Sequence, residues 1–245
     1  MGVPHLISIV GAGPGDPELL TVKALRRLQN ADVVLYDALM GEQILNLAKV
    51  DAQLIYSGKL YKDGQDQAAR QNEIHNLMCE FANQGKRVVR LKAGDPMIFG
   101  RGAEEIRFCK ENKLNYEVIP GITAGFAGAS LFDIPLTERG KSGMTLMYTG
   151  HRQDGGFSDL PTIVSVLKAA APVIIYMGLN NLPDLSAALI ESGVADSTSV
   201  QILSRISQKK QKAYEITLAD VKTFLEENNP KTPSIIIIGK HAKRI

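Results

Sequence analysis

The chain has 245 residues, 44% of them hydrophobic and 22% charged, with a formal net charge of +2 at pH 7. That length allows one large domain or two of moderate size, and the composition is typical of a globular protein with a sizeable core. The net charge is too small to indicate nucleic acid or a membrane surface as a partner, and no apolar stretch is long enough to span a membrane.

The two cysteines, Cys79 and Cys109, both lie in helix-like segments. Two cysteines do not make a disulfide framework, which favours a reducing, cytoplasmic location. The first residues also lack the basic region and cleavage site of a signal peptide.

The first 120 residues alternate between short apolar runs and helical patterns. The apolar runs that predict buried strands are 6–10, 33–36, 54–56, 88–91 and 116–119. Helices are predicted from Pro17 through Leu28, over 43–50 and 64–84, and after Glu104, with Asp16 as an N-cap and Gly85 at a C-terminal cap. Five βα units with short connections predict a mostly parallel, doubly wound sheet.

The regular alternation of predicted strands and helices changes after Gly121. Strands are predicted at 145–148, 173–176, 200–203, 213–216 and 235–238, and helices at 123–132, 161–170, 183–192 and 218–228. The pair 200–203 and 213–216 flanks a polar turn and predicts a hairpin, and Thr217 with Asp220 resembles a capping box. We therefore expect an α/β protein with two domains, 1–120 and 121–245, the second with a mixed sheet, and an active site in the cleft between them.

Residues 90–105 are the most informative stretch of the chain. Gly94 permits close backbone approach, Pro96 ends the strand, and Glu104 and Glu105 suit the positive end of a helix dipole. A glycine-rich crossover between a strand and a helix is a common binding place for small charged ligands. The alternative is a surface loop that uses its glycines only to turn.

The glycines of 11–15 follow the first strand and invite a dinucleotide-binding interpretation, with Asp37 at the end of strand two as the ribose ligand. Against this, the last glycine comes one residue early for the usual fingerprint. Pro14 also stiffens the loop where a pyrophosphate needs free amide donors.

Eight motifs taken together resemble the tetrapyrrole methylase family over nearly the whole chain. In order they are residues 10–21, 36–37, 58–59, 90–105, 120–124, 134–137, 149–151 and 176–178. The resemblance is to the branch of the family that methylates uroporphyrinogen III. It implies a two-domain homodimer that folds S-adenosylmethionine (SAM) between its domains and needs no metal.

The reaction implied by this resemblance is two successive methyl transfers to ring carbons of uroporphyrinogen III. The products would be precorrin-2, a precursor of sirohaem and cobalamin, and S-adenosylhomocysteine (SAH). The residues that would contact SAM by resemblance are Pro14, Ala93, Gly94, Asp95, Ile98, Thr123, Ala124 and Met177.

The substrate of such an enzyme carries eight carboxylates, so cations should converge on the site. The candidates are Lys59, Arg101 and Arg139. Methylation of a pyrrole carbon leaves a positive π-system that must shed a proton, which Asp37, or Glu104 coupled with Arg101, can assist.

Three positions depart from the family pattern. Leu60 and Glu138 stand where members carry cations or histidine, and Ile206 stands where members carry a glycine beside the adenine. These changes leave two alternatives open: a methylase of the same fold with another acceptor, or a tetrapyrrole-binding protein without turnover.

Overall fold

The computed structural model of the chain describes residues 6–58, 67–150, 157 and 159–245. The chain divides into two units, Met1–Thr123 and Ala124–Ile245. The division falls close to the boundary predicted after Pro120. None of the helices within the described ranges combines the length and apolar character that crossing a bilayer requires.

The first unit is built on a five-stranded sheet in which every pair is parallel. Its strands are β1 (Ile7–Gly11), β2 (Val33–Tyr36), β3 (Gln53–Tyr56), β4 (Val88–Lys92) and β5 (Tyr116–Ile119), in the order β3-β2-β4-β1-β5. The predicted parallel sheet is confirmed. Because all strands run the same way, their carboxyl ends meet at one edge, where Gly11 of β1 pairs in register with Lys92 of β4.

Helices cover both faces of this sheet. They are α1 (Val22–Gln29), α2 (Glu42–Leu45), α3 (Gln67–Asn83) and α4 (Gly102–Glu111). Leu28 of α1 and Ile44 of α2 share one core cluster with Val34, whereas Met78 of α3 and Cys109 of α4 share the other. The doubly wound architecture is therefore confirmed.

The helix predicted from Pro17 to Leu28 is in fact two elements. A 3-10 turn, Pro17–Leu19, is capped by Asp16, whose carboxylate accepts a hydrogen bond from the backbone N–H of Glu18 at 2.9 Å. The chain then becomes extended, and Thr21 starts α1 afresh by accepting a hydrogen bond from the N–H of Ala24 at 3.1 Å. The apolar stripe did not reveal this second N-cap, so the predicted α-helix begins five residues too early.

Two other helix predictions were too long. The helix over 43–50 is α2, Glu42–Leu45, and the helix from 218 begins only at Val221 with Asp220 as its N-cap. Asp220 does not complete a capping box with Thr217 at the N-cap. Its carboxylate accepts the N–H and hydroxyl hydrogens of Thr217 in the turn before the helix.

The second unit contains a mixed five-stranded sheet. Its strands are β6 (Leu146–Thr149), β7 (Val173–Tyr176), β8 (Ser199–Ser204), β9 (Lys212–Thr217) and β10 (Ser234–Ile238), in the order β6-β7-β10-β8-β9. The β6–β7 pair is parallel and the other pairs are antiparallel, so the mixed sheet and the β8–β9 hairpin are both confirmed.

Helices α5 (Ala124–Leu131), α6 (Leu160–Lys168), α7 (Leu182–Glu191) and α8 (Val221–Glu227) belong to this unit. Helices α6 to α8 bury one face of the sheet, and Ile175 belongs to that core. The neighbouring residues Ile174 and Tyr176 point to the opposite face, where α5 approaches. A Cβ atom on Gly125 would lie 2.4 Å from Tyr176 Oη, so the approach of α5 requires glycine there.

A charge cluster joins β5 to the start of the first unit. Glu117 is almost fully buried, and its carboxylate accepts hydrogen bonds from Ser8 Oγ at 3.0 Å and from Arg27, with Lys23 Nζ at 2.7 Å. Burial opposes the ionised form of Glu117, but these donors lower the pKa of its carboxyl to about 2.

We expect Glu117→Gln to lower the free energy of unfolding by about 3 kcal/mol at neutral pH, because the ordinary pKa of the group is 4.5. A lowered pKa stabilises the folded state above pH 4.5, and this contribution is lost as the pH falls toward 2. Urea unfolding at a series of pH values should show the difference from the wild type shrinking below about pH 4.5. Glu73→Gln, on the exposed face of α3, is the control, and a difference independent of pH would contradict the prediction.

Candidate functional site

Three loops meet by backbone contact at the carboxyl edge of the first sheet. Ala12 N, after β1, donates to Lys92 O of β4 at 2.8 Å. Gly13 and Gly94 then exchange hydrogen bonds of 2.8 and 3.2 Å between their backbones. Both glycines have positive φ, 71° and 67°, which other residues rarely adopt, so this junction depends on glycine.

Gly121, in the loop after β5, completes the junction. A Cβ atom on Gly121 would lie 2.2 Å from Gly94 O, and one on Gly11 would lie 2.5 Å from Gly121 N. Neither position has room for a side chain. The edge is therefore a strip of bare backbone, which we call the glycine cradle (Gly11, Gly13, Gly94 and Gly121).

Asp95 ties two of these loops together. Its Oδ1 accepts from Met97 N at 2.8 Å and its Oδ2 accepts from Gly121 N at 3.0 Å. Ile98 N donates to Asp95 O at 3.3 Å and closes a turn. The carboxylate predicted to contact a ligand thus also holds the shape of the cradle, a role that the sequence did not indicate.

The structure gathers most of the predicted SAM contacts around the cradle. Pro14 follows Gly13 directly, and Ala93, Gly94, Asp95 and Ile98 lie in the loop between β4 and α4. Thr123, which is buried, comes two residues after Gly121 in the same unit.

The other two predicted contacts lie in the second unit. Ala124 begins α5, and Met177 follows β7. Gly125 N donates to Tyr176 Oη at 3.2 Å, which joins the first turn of α5 to the end of β7. Met177 is 58% exposed and holds a left-handed φ of 54°, a strained conformation of the kind found at functional sites.

A pocket of about 250 Å³ opens beside the cradle within the first unit. Its lining includes Asp37 and Arg101, two of the predicted catalytic residues, and Ala93. Asp37 follows β2, and its Oδ1 accepts from Leu39 N at 3.2 Å.

Arg101 stands at the N-terminal boundary of α4 with a left-handed φ of 60°. Its Nε and Nη2 donate to the two carboxylate oxygens of Glu104 at 2.9 and 2.6 Å, so the predicted coupling of the two residues is present. These hydrogen bonds hold the pKa of the Glu104 carboxyl below its ordinary value. The pair is therefore ionised at neutral pH.

Two other cations were predicted at the site. Lys59 lies outside the described residues, as does Leu60. Arg139 is exposed on a loop of the second unit, where Glu138 pairs with Lys141 at 2.8 Å. The charge of Glu138 is thus met by a neighbouring cation of the same loop.

Ile206 occupies a defined place in the second unit. The residue is 4% exposed. A Cβ atom added to Gly128 of α5 would lie only 2.8 Å from Ile206 Cδ1. The isoleucine therefore packs into the space that the helix glycine leaves open.

The structure also reveals a buried charge triad that the sequence interpretation missed: Arg90, Lys92 and Glu105. Glu105 Oε1 accepts from Arg90 Nε at 3.0 Å and from Lys92 Nζ at 2.7 Å. All three side chains are at most 6% exposed. A signal was present. Arg90 lies in the predicted strand 88–91 and Lys92 directly follows it, and two cations two residues apart on a buried strand share one face and need a buried partner.

The triad is electrostatically coupled. Burial opposes ionisation of Glu105, but Arg90 and Lys92 hold the pKa of its carboxyl below the ordinary value. Burial lowers the pKa of the Lys92 ammonium, as does Arg90, whereas Glu105 and Asp37 act in the opposite direction. Within the described part of the chain, no group of three or more His, Cys, Asp or Glu side chains is placed to hold a metal ion.

Comparison with known proteins places these features in a family context. The profile of the Tetrapyrrole (Corrin/Porphyrin) Methylases matches residues 6–222. The chain is 43% identical over 233 residues to a siroheme synthase of Psychrobacter arcticus, covering 95% of this chain and 42% of that protein. It is 40% identical over 237 residues to the chloroplastic S-adenosyl-L-methionine-dependent uroporphyrinogen III methyltransferase of Arabidopsis thaliana. That match covers 97% of this chain and 63% of the plant protein. The chain spans about half the length of the curated relatives it matches.

A solved structure agrees over almost the whole chain. Uroporphyrin-III C-methyl transferase from Thermus thermophilus, complexed with S-adenyl homocysteine, is similar with a TM-score of 0.80 and 33% sequence identity. The similarity covers 97% of this chain and 93% of that one.

Proposed function

This chain belongs to the tetrapyrrole methylase family, and we propose that it is a SAM-dependent C-methyltransferase that methylates uroporphyrinogen III twice. The products would be precorrin-2 and SAH, on the route to sirohaem and cobalamin. The observation that carries the proposal is the glycine cradle lying beside a pocket that contains Asp37 and Arg101. Relatives similar over nearly all of this chain are named for the same reaction.

We place SAM at the cradle. A Cβ on Gly11 or Gly121 would clash with neighbouring backbone, so these glycines let three loops pack closely at the carboxyl ends of the strands, the edge at which ligands bind in open parallel sheets. We propose that SAM is bound by the eight residues predicted from the family resemblance: Pro14, Ala93, Gly94, Asp95, Ile98, Thr123, Ala124 and Met177. When bound, SAM supplies an electrophilic methyl sulfonium, so the chain's main task is to align the acceptor carbon.

The proton released on methylation requires a base near the acceptor. Glu104 is a poor candidate, because a carboxyl whose pKa is lowered by Arg101 is a weak base. We assign the Arg101–Glu104 ion pair to binding and orienting the substrate instead. We therefore assign proton handling to Asp37, which lines the pocket independently of that pair.

Binding of the octacarboxylate substrate is assigned to cations. Arg101 lies in the pocket lining and Arg139 is exposed on its own loop. Lys59 is proposed by resemblance alone. By the same resemblance we propose that the protein is a homodimer. We also propose a cytoplasmic location, because a chain with two cysteines has no disulfide framework of the kind found in secreted proteins.

The test is an incubation of the purified protein with uroporphyrinogen III and SAM. We expect about two equivalents of SAH per tetrapyrrole, with the absorbance change of precorrin-2, because two ring carbons accept methyl groups. Omission of the tetrapyrrole is the control. If SAM binds but no SAH forms, the protein is a tetrapyrrole-binding protein without turnover. If SAH forms only with another acceptor, the substrate assignment is wrong.

A further inference from the structure

The buried charge triad is out of balance. Among the described side chains, it combines two cations, Arg90 and Lys92, with a single carboxylate, Glu105. Both cations donate to the same oxygen, Oε1, whereas Oε2 is buried and accepts no hydrogen bond from any described residue. One positive charge is thus left without a buried counter-charge, and such a charge is strongly unfavourable unless something compensates it.

The unbalanced side of the triad faces the pocket. Arg90 and Lys92 both belong to its lining, together with Arg70 and Arg101. Arg90 is further held by Ser57 Oγ at 3.4 Å and by backbone carbonyls, including Leu91 O at 3.2 Å. Arg90 is therefore committed to the protein, while the Lys92 ammonium has donors left for a ligand.

The size and charge of the pocket restrict what can enter. Its 250 Å³ is below the roughly 300–1,000 Å³ usual for a whole small-molecule ligand, so it suits one arm of a larger molecule. Asp37 in the same lining repels a dianion such as phosphate more than a monoanion. The cations of the described lining outnumber its carboxylate, Asp37, so the pocket favours an anion, and Asp37 disfavours a second negative charge on that anion.

We propose that this pocket is a carboxylate subsite in which Lys92 binds one acetate or propionate arm of the tetrapyrrole. Glu105 is the positioning residue that holds the ammonium toward the pocket. The inference rests on the proposed function and deepens it, since it names the group that one substrate arm contacts. Lys92 lies two residues before Gly94, so an arm bound here would fix the macrocycle beside the cradle.

The test uses Lys92→Met in the full chain. This change leaves the Arg90–Glu105 pair balanced, so the variant is expected to fold. The probe is uroporphyrin III, the oxidised and unreactive octacarboxylate, titrated by fluorescence in the presence of SAH. We expect its affinity to fall about 10- to 100-fold, as for the loss of a hydrogen bond to a charged group, with SAH affinity unchanged.

Two further variants make the result specific. Lys92→Arg keeps the charge and should recover most of the affinity, and Lys110→Met, on the exposed end of α4, should bind as the wild type does. If Lys92→Met does not fold, Lys92→Gln, which still donates to Glu105, takes its place with the same expectation.

The outcomes separate this inference from the proposed function. If folded Lys92→Met or Lys92→Gln binds uroporphyrin III as tightly as the wild type, or loses SAH affinity to the same extent as uroporphyrin III affinity, the subsite is wrong even when the wild type methylates its substrate. If the wild type binds uroporphyrin III through Lys92 but produces no SAH, the subsite stands and the proposed reaction fails.

Discussion

Replacing Asp37 with Asn is expected to lower the turnover of uroporphyrinogen III by about 10²- to 10⁴-fold, the usual contribution of a general base. Asn retains the size of the side chain and can still accept the hydrogen bond from Leu39 N, so the fold should be unaffected. SAM affinity should stay within about tenfold, because Asp37 lies in the pocket and outside the glycine cradle. SAH formation and SAM binding, measured on the same preparation, check both expectations.

The matched control is Asp32→Asn, the same chemical change at the opposite end of β2. Asp32 pairs with Arg87 at 2.8 Å and is remote from the carboxyl edge, so its replacement should leave turnover near that of the wild type. Equal losses in the two variants, or loss of SAM binding in Asp37→Asn, would show that the role assigned to Asp37 is wrong.

Replacing Glu105 with Gln is expected to lower the free energy of unfolding by about 3–5 kcal/mol, the range for removing one partner of a buried ion pair. Gln is nearly isosteric but uncharged, so Arg90 and Lys92 would face each other in the interior without a carboxylate. Urea unfolding of the variant and the wild type measures the difference.

The neighbouring residue provides the control. Glu104→Gln removes the same charge one residue earlier in α4, but that carboxylate is 39% exposed and its pair with Arg101 is screened by water. We expect a loss of no more than about 1 kcal/mol there. Lys92→Met should also be much milder than Glu105→Gln, since it leaves a balanced pair. Similar losses in all three variants would contradict the charge imbalance on which the carboxylate subsite rests.

Local patterns in the sequence predicted much of this fold. The apolar runs at 33–36, 116–119 and 173–176 have the bounds of β2, β5 and β7, because a short apolar stretch between turn residues has few alternatives to a buried strand. The positions of several predicted site residues also followed from the strands that precede them: Gly94, Asp95, Asp37 and Arg101 lie at the carboxyl edge of the first sheet, while their functional roles stay predictions. Parallel strands align their ends, so residues distant in the chain become neighbours in a predictable way.

Helix bounds were less predictable, because they depend on competing caps. Thr21 and Asp220 are N-caps, and each starts a helix later than the apolar periodicity predicted. At Thr21 one hydrogen bond to the backbone N–H of Ala24 sets the boundary, and the hydrophobic pattern contains no information about it.

By itself, then, the sequence determined the class of each unit, the order of the strands and the glycine-containing loops that follow them, since these follow from periodicity and backbone sterics. The tertiary structure alone decided which charges meet. Arg90 and Lys92 on β4 contact Glu105 on α4 only because that helix packs over that strand. Asp95 likewise accepts a hydrogen bond from Gly121 N only because a third loop lies beside it. Electrostatic and hydrogen-bond partners depend on distances of about 3 Å across the fold, which no local pattern specifies.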